Sequence, residues 1–370
     1  MKNFILFLFL TAFFFACNNN EENGYLWFKG NTHCHSIISD GDSAPFKVVK
    51  AYHDHGYNFL LLTDHNYLVD KDTIKMPENL RTDFLMIPGE EVTDKKSVHT
   101  TAFNIKEYVP FSGDPNLETD IQKRREEIIK TIKSPTNLSK TELLQMHVDG
   151  ILKAEGIPFL NHPNFSSALQ VSDILPVTNL HHIELYNGHP DVANWGKEGH
   201  VSVEAKWDSL LSRGRIMYGV AADDMHSLTI NTPNKSSLFK GWVMVKSKEL
   251  TIESIHQSIL NGDFYSTNGV TLKTDKMTAK KCVIEIDEIA TQKEILDSYG
   301  VPRIDKTGQI GYTIEIIGNN GIVLSGTNGL KASYKPKRVD KYVRARITYC
   351  TETDKGFEKL FAWTQPVFLK

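Results

Sequence analysis

Short apolar runs alternate with longer amphipathic stretches from Tyr25 to about Phe239. Continuous runs such as Phe59-Leu60-Leu61-Leu62 predict strands that are covered on both faces. Strands are expected over Tyr25–Asn31, Tyr57–Thr63, Phe84–Pro88, Thr100–Ile105, Ile157–Asn161, His182–Tyr186 and Ile216–Ala221. Helices are expected between them, over Ala44–His55, Leu117–Lys133, Thr141–Glu155 and Val203–Arg213. Strands and helices in alternation predict an α/β fold, here a seven-stranded (β/α) barrel rather than an open sheet.

The pattern changes twice. Lys106–Ser139 carries Pro110, Gly113, Pro115 and Pro135 around a charged helix and reads as an insertion over the barrel. After Thr267-Asn268-Gly269 the chain turns to alternating strands with Gly, Asn and Asp between them. Thr313-Ile314-Glu315-Ile316-Ile317 followed by Gly318-Asn319-Asn320-Gly321 is a strand and its turn. Residues 275–370 are therefore expected to form a small β-sandwich behind a larger domain, residues 25–274.

The first residues stand apart. Lys2 precedes an apolar run from Phe4 to Ala16, too short for a span of about 20 residues but of the size of a signal-peptide core. Phe14-Phe15-Ala16-Cys17 resembles a bacterial lipoprotein cleavage box. It implies a signal peptide over 1–17, lipidation of Cys17, a polar tether over 18–24, and an exported protein anchored in a bacterial cell envelope. Composition is that of a globular protein: of 370 residues 40% are hydrophobic and 24% charged, with a formal net charge of −3. That balance offers no basic stripe for nucleic acid. Cys34, Cys282 and Cys350 remain in the body; export permits a Cys282–Cys350 disulfide, and two buried thiols fit equally well.

The candidate chemistry sits at strand ends. His33, His35, Asp40, His65, Glu90, His99, His162, Asp224 and His226 nearly all follow apolar runs. Imidazole and carboxylate together suit Zn, Mn or Fe. They are more numerous than the four to six ligands, roughly, that one ion takes, so the expectation is a site for two or three divalent ions. Asp224 is preferred to Asp223 because it has the one-residue spacing to His226. Asp64 and Asp223 are candidates for orienting imidazoles, and Arg213, Arg215, Asn164 and Asn187 for contacting substrate.

Asn31-Thr32-His33-Cys34-His35-Ser36 with Ser39-Asp40-Gly41 resembles the first motif of the polymerase and histidinol phosphatase (PHP) superfamily. Leu62-Thr63-Asp64-His65-Asn66 is similar to the second, and Pro88-Gly89-Glu90-Glu91-Val92 to the acidic strand end. Asn161-His162-Pro163 and Asp224-Met225-His226 are similar to the later metal motifs. The resemblance covers roughly residues 25–270. Val343-Arg344-Ala345-Arg346-Ile347 and Ala362-Trp363-Thr364-Gln365-Pro366 are similar, more weakly, to a small β domain appended to some members. The resemblance implies a distorted barrel in which His33, His35, Glu90 and Asp224 hold one metal and Asp40, His65 and His226 a second. His99 and His162 would hold a third, with Glu90 bridging. It implies hydrolysis of a small phosphomonoester or phosphodiester by a metal-bridging hydroxide. Two other readings share these residues: a surface binding lipoprotein with structural metals, and a metal hydrolase acting on a non-phosphate bond.

Overall fold

The structure, a computed structural model, describes residues 24–69, 74, 83–94, 97–112, 126, 137–167, 169–230, 232, 234–299, 311–353 and 356–370. Cys17, the signal-peptide run and, apart from residue 126, the expected helix Leu117–Lys133 lie outside them. Each of the seven expected strands forms, with most ends shifted by one or two residues. They are β1 (Leu26–Asn31), β2 (Phe59–Leu61), β3 (Leu85–Ile87), β5 (Val98–Phe103), β6 (Ile157–Leu160), β7 (His182–Asn187) and β8 (Tyr218–Ala222). An eighth, β4 (Gly89–Asp94), falls where a loop was expected and pairs antiparallel with β5.

The fold is mixed α/β, but these strands do not close into one seven-stranded barrel. β4-β5-β6-β7-β8 form one sheet, while β1, β2 and β3 belong to another. The cause is a competitor: β11 (Trp242–Ser247) pairs antiparallel along β1 from Leu26 to Gly30 and takes the edge that β8 would need. Backbone hydrogen bonds join the two sheets near the strand ends. There the Asp224 amide donates to the His33 carbonyl (2.9 Å), the His35 amide to the Met225 carbonyl (2.8 Å), and the Asn66 amide to the Glu91 carbonyl (2.9 Å). The segments that stitch the sheets together are the segments that carry the candidate ligands.

Between the sheets lies a core of Phe28, Phe59, Leu61, Phe103, Phe159, Val220, Val243 and Phe264. Packing there is tight enough to dictate a glycine. A Cβ on Gly30 would lie 2.0 Å from the Phe59 ring, so any side chain at position 30 would push β1 off β2. Helix α1 (Pro45–Asp54) starts with proline in its first turn and buries Val48, Val49 and Tyr52. Helix α2 (Lys140–Lys153) is opened by a capping box between Ser139 and Glu142 and buries Leu143, Leu144, Val148 and Ile151. Helix α3 (Val171–Ile174) is a single turn. Helix α4 (Val203–Ser212) is capped by Ser202, and α5 (Ile252–Asn261) by Thr251, ending at Gly262 with φ 77°.

The C-terminal strands join the sheet that holds β1, β2 and β3. β12 (Phe264–Thr267) pairs with β11 on one side and β19 (Gly356–Thr364) on the other, and the order continues through β18 (Tyr342–Thr353), β15 (Gly311–Gly318) and β16 (Ile322–Asn328). The short β20 (Val367–Phe368) pairs with β18, and β9 (Ser227–Ile230) and β10 (Ser237–Leu238) form a separate two-stranded ribbon. A three-stranded sheet made of β13 (Leu272–Met277), β14 (Cys282–Ile286) and β17 (Lys331–Tyr334) lies against the C-terminal strands. The two share a core of Leu272, Ile284, Ile314, Ile347 and Ala362. The 274/275 boundary drawn from sequence falls inside β13. Cys34, Cys282 and Cys350 are free thiols.

One ionic cluster locks this region onto α4. Arg344 is fully buried; its Nε and Nη2 donate to Asp208 (2.8 and 2.7 Å), and Nη2 also to Glu204 (2.8 Å). Its guanidinium lies 4.7 Å from the Trp207 ring centre, and the Tyr342 hydroxyl donates to Asp208 (2.8 Å). The Gln365 side chain pairs with both the amide and the carbonyl of Gly219 on β8 (2.8 and 2.9 Å).

Candidate metal centre

The ligand-type side chains converge into four overlapping groups: His35 with Asp40, His65 and His226; His33 with Glu91 and His162; His33 with His35 and Asp224; and His65 with Glu91 and His99. His33 and His35 leave the end of β1, His65 that of β2, His162 that of β6, and Asp224 and His226 that of β8. Eight of the nine residues singled out from sequence meet here. His99 is brought in by the β4–β5 hairpin.

Glu90 is the exception, and Glu91 stands in its place. On a strand, neighbouring side chains point to opposite faces. Glu91 turns toward the imidazoles, whereas a Glu90 oxygen accepts from the Val109 amide at 2.9 Å on the other face. Glu91, not Glu90, is thus placed among the imidazoles where a bridging carboxylate was expected. Its Oε1 lies 3.3 Å from His33 Nε2, 3.2 Å from His99 Nδ1 and 3.2 Å from His162 Nε2, while Asn161 Nδ2 donates to it at 2.9 Å.

This donor set fits cations better than protons. His33 Nε2 is 3.2 Å from His35 Nε2, 3.3 Å from Glu91 and 3.2 Å from Asp224, yet one ring nitrogen carries at most one hydrogen. Among the described residues the buried His162 Nδ1 has no hydrogen-bond partner, and Glu91 Oε2 lies 2.8 Å from His65 Nδ1. Converging lone pairs on buried nitrogen and carboxylate oxygen are the chemistry that divalent Zn, Mn or Fe ions satisfy.

Residues around the cluster hold it in shape. Glu184 accepts from His33 Nδ1 (2.7 Å) and from the His162 amide (2.9 Å), which leaves His33 Nε2 with its lone pair toward the cluster. His226 Nδ1 donates to the Asp224 carbonyl (2.9 Å) and so keeps Nε2 for the Asp40 side. Asn66, with φ 46°, exchanges side-chain hydrogen bonds with the Thr93 backbone (3.0 and 2.8 Å). Asp224 (φ 52°) and His162 (φ 20°) are also left-handed, so two of the ligand positions carry strained backbone.

Asp64 and Asp223 do not contact imidazoles as expected. Asp64 accepts from the amides and hydroxyls of Ser36 and Ser39 and shapes the loop that presents Asp40. Asp223 accepts from the Tyr52 hydroxyl and the amides of Phe239, Lys240 and Gly241. Arg213 and Arg215 are not brought to the site: Arg213 donates to Ser209, and Arg215 to the carbonyls of Leu175, Val177 and Leu180. Asn164 ties the loop after His162 to the carbonyls of Ala193 and Val201 (2.7 and 2.9 Å). Asn187 is nearer, donating to Glu184 (2.9 Å) and Asp224 (3.1 Å). Glu91, Glu184 and Thr93 were missed. Glu91 and Thr93 follow from strand parity once β4 is known to be a strand, while Glu184 sits mid-strand with no local signal.

The protonation of the metal-free cluster is uneven. Burial works against charge on His226, but the hydrogen bond with Asp40 and the charge of Asp224 raise its pKa to about 9. Burial lowers His35 to about 3, helped by His226. Burial lowers His99 to about 4 against the pull of Glu91. At pH 7.5 the metal-free site thus holds a proton on His226 that a ligating imidazole cannot keep. Against the effect of burial, the carboxylates of the cluster also hold His33, His65 and His162 above the usual histidine range, so metal uptake is expected to release protons at pH 7.5 and affinity to rise with pH. Calorimetric titration of manganese in two buffers of different ionisation enthalpy checks this; identical heats would contradict it.

No family model matches the chain, and no curated protein matches it. Among solved structures, it is similar to a two-domain protein from Bacteroides vulgatus containing a predicted PHP-like metal-dependent phosphoesterase. Identity is 14% and the TM-score 0.43, over 94% of this chain and 89% of that one. It is similar to a candidate metal-dependent phosphoesterase from Bifidobacterium adolescentis at 16% identity and TM-score 0.38, over 55% and 89% of the two chains. It is also similar to an amidohydrolase from Chromobacterium violaceum at 14% identity and TM-score 0.37, over 54% and 87%.

Proposed function

We propose that this protein is a metal-dependent phosphoesterase of the PHP type, exported and lipid-anchored through Cys17, acting on a small phosphomonoester or phosphodiester. The observation that carries the reading is the convergence of His33, His99 and His162 on one oxygen of Glu91, with His35, Asp40, His65, Asp224 and His226 gathered beside it. The order of these residues along the chain follows the superfamily motifs. Divalent ions held there would supply charge that polarises a phosphoryl oxygen and acidifies water. The chain's own groups orient that charge: Glu184 fixes His33, Thr93 lies 2.7 Å from His65 Nδ1, and Asn187 steadies Asp224. The Phe165 ring, 5.2 Å from His162 and 6.0 Å from His99, shields that side from water. Among the described residues no helix is long and apolar enough to cross a membrane. Mass spectrometry of the mature amino terminus tests the anchor, and an unlipidated Cys17 would remove it.

Both arginines expected at the substrate are engaged elsewhere, which keeps hydrolysis of a non-phosphate bond as the second reading. One comparison separates them. Full-length protein in detergent with manganese is assayed on a chromogenic phosphomonoester and on the matching diester, beside His65→Ala. Turnover of one ester should fall by more than roughly 100-fold in the variant, beyond what loss of an outer partner of a metal ligand costs. No turnover of either ester by metal-loaded wild type would favour the second reading.

A further inference from the structure

Asn187 does more than steady Asp224: its Oδ1 accepts from the His189 amide (2.8 Å), and its own backbone is clasped by the Asn194 side chain (3.1 and 2.8 Å). The loop after β7 is thus pinned to the metal ligands at its start. At its far side Asn164 holds the Ala193 and Val201 carbonyls, with Asn164 itself bonded by the buried Lys206 amine.

This loop sets the His189 ring edge-on to His226, with ring centres 5.4 Å apart, and 6.2 Å from Phe165. His189 belongs to none of the four ligand groups. Its Nδ1 accepts from the Asp191 amide (3.1 Å), so the ring hydrogen resides on Nε2. Nε2 has no protein acceptor among the described residues, and the ring is only partly buried. A donor held this firmly at the edge of a metal centre, without a partner in the protein, is suited to a ligand's oxygen.

We propose that His189 Nε2–H is a substrate contact, donating a hydrogen bond to an anionic phosphoryl oxygen at the metal centre. This rests on the phosphoesterase reading above. With Arg213 and Arg215 committed elsewhere, His189 takes the place that sequence reasoning gave to a cation, and Phe165 forms the apolar wall beside it.

The test is the affinity of manganese-loaded full-length protein for inorganic phosphate, by calorimetry, with metal content measured in each sample. His189→Ala should bind phosphate roughly tenfold more weakly, the scale of a hydrogen bond to a charged group, with unchanged metal content. His189→Gln, which keeps an N–H, should fall between the two. Equal phosphate affinity in wild type and His189→Ala would overturn the proposal, as would loss of metal from His189→Ala, since that would make the ring a support for the ligands. If metal-loaded wild type binds no phosphate, the phosphoesterase reading itself fails and this contact fails with it.

Discussion

Glu91→Gln is expected to abolish turnover while Glu90→Gln leaves most of it. The two carboxylates are neighbours in sequence and both fully buried, yet β4 sends them to opposite faces. An amide at position 91 is isosteric and can still accept from Asn161, but it removes the negative charge that three imidazoles share. The expected loss is roughly three orders of magnitude in kcat/KM, the scale seen when a group aimed at developing charge is removed. Metal content of the purified variant should fall with it. At position 90 the amide oxygen can still accept from the Val109 N–H, so the loss should stay within about tenfold and the cost in stability near 1 kcal/mol. Steady-state kinetics and elemental analysis of both variants decide it. The reverse ranking would restore Glu90 as the bridge.

The second large effect concerns stability. Arg344→Met removes one cation from between Asp208 and Glu204 and leaves two carboxylates beside an apolar side chain. Burial disfavours the Arg344 charge, but Asp208 and Glu204 together hold its pKa above the usual arginine value. Breaking such a pair from one side costs about 3–5 kcal/mol. Because the cluster joins β18 to α4, the loss should appear in denaturant unfolding of the whole protein, with metal affinity per folded molecule unchanged. The triple change Arg344→Met, Asp208→Leu, Glu204→Leu should recover much of the loss, since no uncompensated charge is left. A single variant as stable as wild type would show that the cluster contributes nothing to the joint.

These two cases mark where the sequence was legible. Continuous apolar runs such as Phe59–Leu62 located the strands, and the one-residue spacing to His226 separated Asp224 from Asp223. The resemblance of Pro88-Gly89-Glu90-Glu91-Val92 to the superfamily's acidic strand end points to Glu90 as the bridge, and the stretch after it reads as a loop. Residues 92–94 instead lie in one arm of a hairpin in which Thr93 is opposite His99. Directly paired residues share a face, so that register alone places Glu91, Thr93 and His99 together. The open barrel was not legible. Trp242–Ser247 is not among the expected strands, and nothing local says that it will take the edge of β1. Glu184 and His189 acquire meaning only from partners more than thirty positions away in the chain, at His33 and His226.

The central claim is that divalent ions gather around Glu91, and anomalous diffraction from manganese- or zinc-loaded crystals tests it most directly. The account predicts two or three anomalous peaks within bonding distance of the gathered ligands, with Glu91 touching more than one of them and Glu90 none. Peaks coordinated by Glu90, or no peak among His33, His65, Glu91 and Asp224 in protein shown to bind metal, would contradict it.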